Sequence, residues 1–257
     1  MKKKAKKIFF KLTATIFNKL GYERKKASND REFYSKKMLL ETYFTNLKIM
    51  GFTPKHIVDI GANHGTWTRE ALQYFPDAHY TLIEPQQWLQ PSFQDLLDSN
   101  SKIAFLPVGA GSEKGSFKFT IANRDDSCSF RHTEAEAHEL GLKQIDIPII
   151  TLNDFVKSSS TPFPDLVKID AEGLDIEVLK GASDLFGKTE IFMVEAGVFI
   201  TEFENSFLTM INFMDENGYR LFEITDLNRP FTPRVLWLVE LAFIKKNGII
   251  DSYEIAV

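Results

Sequence analysis

Apolar residues fall in short closed runs along most of the chain, and between those runs they recur at helical spacing. His56–Gly61, His79–Glu84, Leu166–Asp170 and Ile191–Glu195 are compact, mostly apolar, and end on a glycine or an acidic residue. Runs of this length without a polar face predict strands buried on both sides. Ile103–Val108 reads as a third strand of the same kind, broken by Gly109 and Gly111, and Phe117–Ile121 as an extra one. Thr66–Phe75, Trp88–Leu97, Asp175–Phe186 and Asn205–Asn217 read as helices, the last with Gly218 as its natural C-cap. Residues 122–147 are polar and irregular, with a helix expected near Glu134–Leu140. Arg220–Ile224 and Glu240–Lys245 complete the strands, and 226–236, holding Pro230 and Pro233, reads as a loop.

Strands alternating with helices predict an α/β fold, a mostly parallel twisted sheet with helices on both faces. Such sheets take ligands beyond the carboxyl ends of their strands, where the strand order reverses. Glu84, Asp170, Glu195 and the Gly61 turn are all expected there.

Composition narrows the class. The 257 residues are 44% hydrophobic and 26% charged, enough to build one sizeable core. The net charge of −4 hides an asymmetry: residues 1–30 hold ten Lys or Arg against two Asp or Glu, a net of +8, which leaves −12 for the remainder. Two parts are therefore expected, a basic amphipathic extension over 1–30 and a catalytic domain over 31–257. An acidic body argues against nucleic acid as partner. In the extension, Phe9, Leu12, Ile16 and Leu20 recur near helical spacing. Two readings stay open: a helix packing on the domain, which is favoured, or an interfacial helix on anionic lipid. Lys11 and Asn18 interrupt the apolar patch, no signal-peptide cleavage site follows, and no stretch reaches the roughly 18 apolar residues of a spanning helix. A single cysteine, Cys128, excludes a disulfide within the chain and fits a reducing compartment. The expected location is the cytoplasm, or the inner face of its membrane under the lipid reading.

The candidate chemistry gathers in three places. Val58–Gly65 is a strand entering a glycine-bearing turn and leaving into a helix. Gly61 lets backbone approach a ligand, and amides at the helix start can meet a carboxylate. Asp59 is the candidate partner for an ammonium beside it. A dinucleotide fingerprint is excluded, because its second and third glycine positions hold Asn63 and Thr66. Glu84, about 20 residues further on, is placed to accept from ribose hydroxyls. In Lys168–Gly181, Lys168 and Asp170 share one strand face, and charges at a central strand tip need a partner or a task.

These three segments, DIGANHGTWT at 59–68, IEP at 83–85 and LVKIDAEGLDIEVLKGA at 166–182, resemble the FkbM-type methyltransferase family. The resemblance runs from about Ile57 to Tyr219, with Lys168–Gly173 its most specific part. It implies a Rossmann-like class I methyltransferase fold, S-adenosylmethionine as methyl donor, and an O-methylated glycan or small-molecule natural product. The implied cofactor contacts are Asp59, Gly61, Asn63, Gly65, Glu84, Val108 and Asp170. Two departures stand out: Leu174-Asp175 where a small residue and Glu are commoner, and Ala196-Gly197 after Glu195.

Direct transfer to a hydroxyl calls for a base. Asp170 is the first candidate, then Glu172 and Glu195, with Lys168 orienting Asp170 or the acceptor. A metal held by those three carboxylates is a lesser alternative and no metal residue is assigned. His132, Glu136 and Glu139 read as a solvated helix face, Cys128 as an unreactive small residue, and His64 as either a site or a surface residue. A non-catalytic binding module and a membrane-peripheral enzyme acting on lipid-linked glycans are the competing functions. Residues 110–150 and 226–236 are expected to shape the acceptor pocket.

Overall fold

β1, His56–Ile60, is buried along its whole length. Ile57 joins one hydrophobic cluster and Val58 and Ile60 the other, so alternate residues supply opposite faces of the sheet. The first cluster takes Tyr43, Phe44 and Leu47 from the helix Lys36–Ile49, and Ala71 from the helix Thr66–Tyr74. The second takes Val178 and Leu179 from Asp175–Lys180 and Met210 and Met214 from Phe207–Glu216. Each large side chain buried this way contributes roughly 1.5–3 kcal/mol. The computed structural model describes residues 36–199 and 205–254; the amphipathic helix expected within 1–30 lies outside them.

The remaining strands are β2 (His79–Ile83), β3 (Ile103–Leu106), β4 (Gly109–Ala110), β5 (Gly115–Ile121), β6 (Lys143–Ile150), β7 (Leu166–Ile169), β8 (Ile191–Gly197), β9 (Tyr219–Asn228) and β10 (Leu238–Lys245). The main sheet has the order β3-β2-β1-β7-β8-β10-β9. β3, β2, β1, β7 and β8 pair in parallel, while β10 runs antiparallel to both neighbours. This is the Rossmann-like class I methyltransferase arrangement. The chain winds outward from β1 through β2 to β3, then resumes at β7 on the other side of β1. The reversal point is therefore the gap between the tips of β1 and β7.

β4, β6 and β5 form a second sheet inserted between β3 and β7. The pattern of residues 122–147 gave no strand, yet β6 begins at Lys143. Its signal is there in Ile145, Ile147 and Ile149 at period two, masked by the polar residues between and by Pro148. β5 and β6 pair antiparallel, with Phe119 opposite Ile145 and Phe117 opposite Ile147. The expected helix of this region runs Glu134–Glu139, started by a capping box between Thr133 and Glu136. Other boundaries shift: the helix expected from Asn205 starts at Phe207 behind its Ser206 cap, the helix expected over Asp175–Phe186 ends at Lys180, the one expected over Trp88–Leu97 divides into a 3-10 turn Gln87–Ser92 and a helix Gln94–Ser99, and β9 continues into the expected loop as far as Asn228. Among the described residues no helix is long and apolar enough to cross a membrane.

Candidate active site at the reversal point

The turn after β1 is held by its neighbours. The Gly61 and Ala62 N–H groups donate to the Ile83 carbonyl at 2.9 and 3.3 Å. Gly61 has φ +69°, and a Cβ there would fall on the Asp170 carbonyl oxygen. The glycine is thus required by the close approach of β1 and β7, before any ligand is considered. Asn63 adopts φ +47°, tolerable for Asn, and its N–H donates to Glu84 Oε2 at 2.9 Å. Gln86 N–H donates to Glu84 Oε1, also at 2.9 Å. The buried Glu84 carboxylate is therefore strung between two backbone amides at the cleft edge. Burial pushes its carboxyl above the usual range, and the Gln86 and Asn63 amides pull against that.

Asp59 does not line the cleft. It shares the sheet face of Ile57, is fully buried, and accepts from Thr68 Oγ at 2.6 Å. Register places it beside Lys168, whose Nζ lies 3.3 Å from Asp59 Oδ1 and 3.4 Å from Asp170 Oδ2. Lys168 also donates to the Gly61 carbonyl at 3.2 Å. Burial works against its ammonium, but Asp170, Asp59 and Glu240 outweigh it and hold the lysine charged. Burial likewise pushes the Asp59 carboxyl up, while Lys168 and Thr68 oppose the shift. Lys168 thus ties the β1 turn to the β7 tip from behind. Gly65, φ +72°, packs its α-carbon toward Phe93 and starts the helix from the same side.

Beyond β7 the chain turns through Glu172 and Gly173, at φ +51° and +93°. A left-handed Glu is uncommon and marks a constrained position. Asp175 closes this loop: its Oδ1 accepts from Ala171 N–H at 3.0 Å and its Oδ2 from Asn205 Nδ2 at 2.7 Å. Burial pushes the Asp175 carboxyl up to about 7. Glu195, next door on β8, is pushed well above the carboxylate range by burial and then by the charges of Asp170, Asp175 and Glu172. On β10, opposite Glu195 in register, Glu240 is pushed up to about 7, again chiefly by burial.

An open cleft lies over these tips. Its floor is Ile60, Gly61 and Ile83; Asn63 and Glu84 form one edge, Asp170 and Glu172 another, and Val108 lies between. Gly61, Asn63, Glu84, Val108, Asp170 and Glu172 are therefore brought together. Asp59, Gly65 and Lys168 stand behind the cleft, and Glu195 lines a smaller adjoining pocket with Glu172. The far wall comes from the inserted sheet and its loop: Phe119, Cys128, Ser129 and Phe130. Pattern reading gives no individual signal for Phe119, Phe130 or Gln86 and takes Cys128 for an unreactive small residue; the expectation that 110–150 shapes a pocket covers the wall but not Gln86. Gln86 Nε2 donates to the Asp125 carbonyl at 2.9 Å, and His64 Nε2 lies 3.4 Å from Asp125 Oδ2, so the turn and the wall are pinned together. The Cys128 thiol is pushed up by burial, which suits packing rather than nucleophilic work. Glu136 is engaged in its capping box, and no described group of three His, Cys, Asp or Glu side chains could hold a metal ion.

Comparison with known proteins identifies the family. The Methyltransferase FkbM domain matches residues 59–221. Over 150 residues the chain is 24% identical to the 2-O-methyltransferase NoeI of Sinorhizobium fredii (strain NBRC 101917 / NGR234), a match covering 54% of this chain and 62% of that protein, less than two thirds of its length. Among solved structures, the N-methyltransferase NodS from Bradyrhizobium japonicum WM9 superposes with a TM-score of 0.45 at 11% identity, over 85% of this chain and 99% of that one. The 1,6-didemethyltoxoflavin-N1-methyltransferase of Burkholderia thailandensis, with bound 1,6-didemethyltoxoflavin and S-adenosylhomocysteine, gives 0.46 at 9% identity, over 87% and 93%.

Proposed function

This chain belongs to the FkbM methyltransferase family, and from that premise we propose that it transfers a methyl group from S-adenosylmethionine to a hydroxyl oxygen of a glycan or small natural product. The observation that carries the reading is Glu84, buried and strung between the Asn63 and Gln86 amides at the edge of the reversal-point cleft. Its oxygens are fixed in place to accept from vicinal hydroxyls of a ribose. Gln86 Oε1, buried and without a hydrogen-bond partner, is an acceptor at the same edge. The residues present therefore fit the nucleoside half of this cofactor. Gly61, Asn63, Glu84, Val108 and Asp170 would hold it, while Asp59 and Lys168 position the turn.

The cofactor supplies a methyl group already activated on a sulfonium. This chain's residues would hold the acceptor hydroxyl in line with that methyl group, and a carboxylate would take the hydroxyl proton. Positioning supplies most of the rate in such a transfer. Asp170 is the base in this reading: it faces the cleft, and Lys168 fixes its orientation from behind at 3.4 Å. Glu195, which lines the adjoining pocket with Glu172, is the second candidate base. The NoeI likeness supports an oxygen acceptor.

Thermal melts with and without S-adenosylmethionine test the cofactor. Ligand at 100 times its Kd stabilises by roughly 2.7 kcal/mol, on the order of 5–10 °C for a domain of this size. The shift is expected in the wild type and lost in Glu84→Ala. No shift at millimolar ligand would instead favour a non-catalytic module. Label transfer to hydroxylated acceptors at saturating S-adenosylmethionine then tests the base: Asp170→Asn should lose transfer even with the cofactor site filled, and full transfer by that variant moves the role to Glu195.

A further inference from the structure

The inserted sheet has one apolar face. β5 and β6 pair antiparallel with Phe117 opposite Ile147, Phe119 opposite Ile145 and Gly115 opposite Ile149, so both phenylalanines and all three isoleucines project to one side. The small cluster covers the middle of that face: Phe119 and Ile147 pack with Cys128, and the Phe130 ring lies 4.7 Å from that of Phe119. The cover stops at Phe117, which is 39% exposed. Beyond it lies a groove of about 260 Å³, walled by Phe117, Phe130 and Ile149 on one side and by Leu174 on the other. Its inner end is Ala110, Phe130 and Leu174, and the same three residues line the reversal-point cleft. Leu174 comes four residues after Asp170, at the end of the turn through Glu172 and Gly173. Groove and cleft therefore meet at the turn that follows β7. At the rim, the Glu177 carboxylate is already held by Lys180 and Ser112.

We infer that this groove seats the body of the methyl acceptor, and that the body is an uncharged aromatic ring system whose hydroxyl enters the cleft between Phe130 and Leu174. The inference rests on the O-methyl-transfer reading above and names its substrate class. An apolar sheet face left open beside a polar cleft is the surface such a ligand buries. Size narrows the class. A dry apolar cavity of about 150 Å³ takes one benzene ring, so the groove has room for one ring or two fused ones. Phe117 and Phe130 offer ring contacts that add to the burial. A sugar would set its hydroxyls against Phe117, Ile149 and Leu174, where they find no partner, and a charged body would lose its hydration against the same side chains. Proton transfer points the same way. The candidate bases at the strand tips are carboxylates, which are weak proton acceptors. A phenol ionises near pH 10, as tyrosine does, while an alkyl hydroxyl lies closer to water at about 15.7. Giving the acceptor proton to a carboxylate is therefore far less uphill from a phenol.

The test is ligand-observed NMR on the full chain saturated with S-adenosylhomocysteine. The probe is 2-naphthol, with methyl glucoside as the sugar control and naphthoate as the anionic one. Naphthol should bind at least about tenfold more tightly than either control. Interligand Overhauser contacts should join its ring protons to S-adenosylhomocysteine. Phe117→Ala should weaken naphthol about fivefold, the loss of about 1 kcal/mol of aromatic contact, and Phe117→Tyr should restore it. Because Phe117 is partly exposed, both variants should melt within about 3 °C of wild type. Both should also keep the wild-type thermal shift with S-adenosylhomocysteine. Undiminished naphthol binding in Phe117→Ala, equal or tighter binding of either control, or no interligand contact would overturn the inference. A shift lost in Phe117→Ala would give the groove to the cofactor and overturn it as well. A wild type that shows no shift with S-adenosylhomocysteine fails earlier, at the cofactor reading itself, and takes this inference with it.

Discussion

The Nζ of Lys168 lies 3.3 Å from Asp59 Oδ1, and the two side chains are 5% and 0% exposed. Burying both charges costs desolvation, so the pair is not a net source of stability. Removing one partner is a different matter, because the other is left buried and unmatched. Lys168→Met is expected to lose about 3–5 kcal/mol, roughly 10 °C in melting temperature. Combining it with Asp59→Asn should recover part of that loss. A double-mutant cycle by thermal denaturation checks both statements; strictly additive losses would separate the two residues energetically.

Gly61 sets a second expectation. Its φ of +69° and the Asp170 carbonyl standing where a Cβ would go leave no room for a side chain. Gly61→Ala should either part the tips of β1 and β7 or fail to fold. The expected loss is at least about 2 kcal/mol, and any folded fraction should show no thermal shift with S-adenosylmethionine. A variant with wild-type melting and a normal shift would contradict the strand contact.

Glu240 carries a pH dependence. Its carboxyl is raised to about 7 in the folded chain, chiefly by burial, from an ordinary value of 4.5. The folded state then binds more protons than the unfolded one between those values, so stability falls as pH rises. The contribution is complete below about 4.5 and is lost as pH passes through about 7, an effect on the order of 3 kcal/mol. Glu240→Gln keeps an oxygen to accept from Thr225 Oγ but cannot ionise. Its melting temperature should decline less steeply than wild type between about pH 5 and pH 8. Parallel curves would show that Glu240 does not titrate there.

Gln86 links the cofactor edge to the inserted sheet through Nε2 and the Asp125 carbonyl. Gln86→Leu removes that tie together with an unmatched buried oxygen, so overall stability should change by less than about 1 kcal/mol. Cleavage by protease within 122–131 should nevertheless become faster, and S-adenosylhomocysteine should bind about tenfold more weakly, near 1.4 kcal/mol. Calorimetry and limited proteolysis on the same sample read both. Unchanged cleavage would mean that the wall is held by its own packing.

The main sheet was legible because its strands are local apolar runs whose tips carry Gly61, Glu84 and Asp170. The pattern could not reveal which way those tips point. Asp59 reads as a ligand partner from its neighbours in sequence, yet alternation along β1 turns it under the helix that supplies Thr68. Its true partner, Lys168, is brought to it by strand pairing across more than a hundred positions. Gly61 carried a strong local signal with an incomplete reason, since the atom that excludes a Cβ belongs to Asp170. β6 was missed because its three isoleucines alternate with polar residues in a stretch that pairs only within the inserted sheet. Trp237 gave no periodic signal at all; its place beside Glu195 follows from the reversed strand β10.

Floor and wall of the cleft belong to different sheets with different cores. The floor stands on the large cluster around Val58, Ile169 and Val194, the wall on a small one around Phe119, Cys128 and Ile147. The inserted sheet meets the large cluster through Ala110 and Ile150, so the wall around Phe119 and Phe130 could loosen at the small cluster and at the ties to Asp125 while the strands of the floor stay packed. In the reading proposed above, exchange of spent for fresh cofactor would proceed by breathing of the wall, and the rate of turnover would be separable from the stability of the fold.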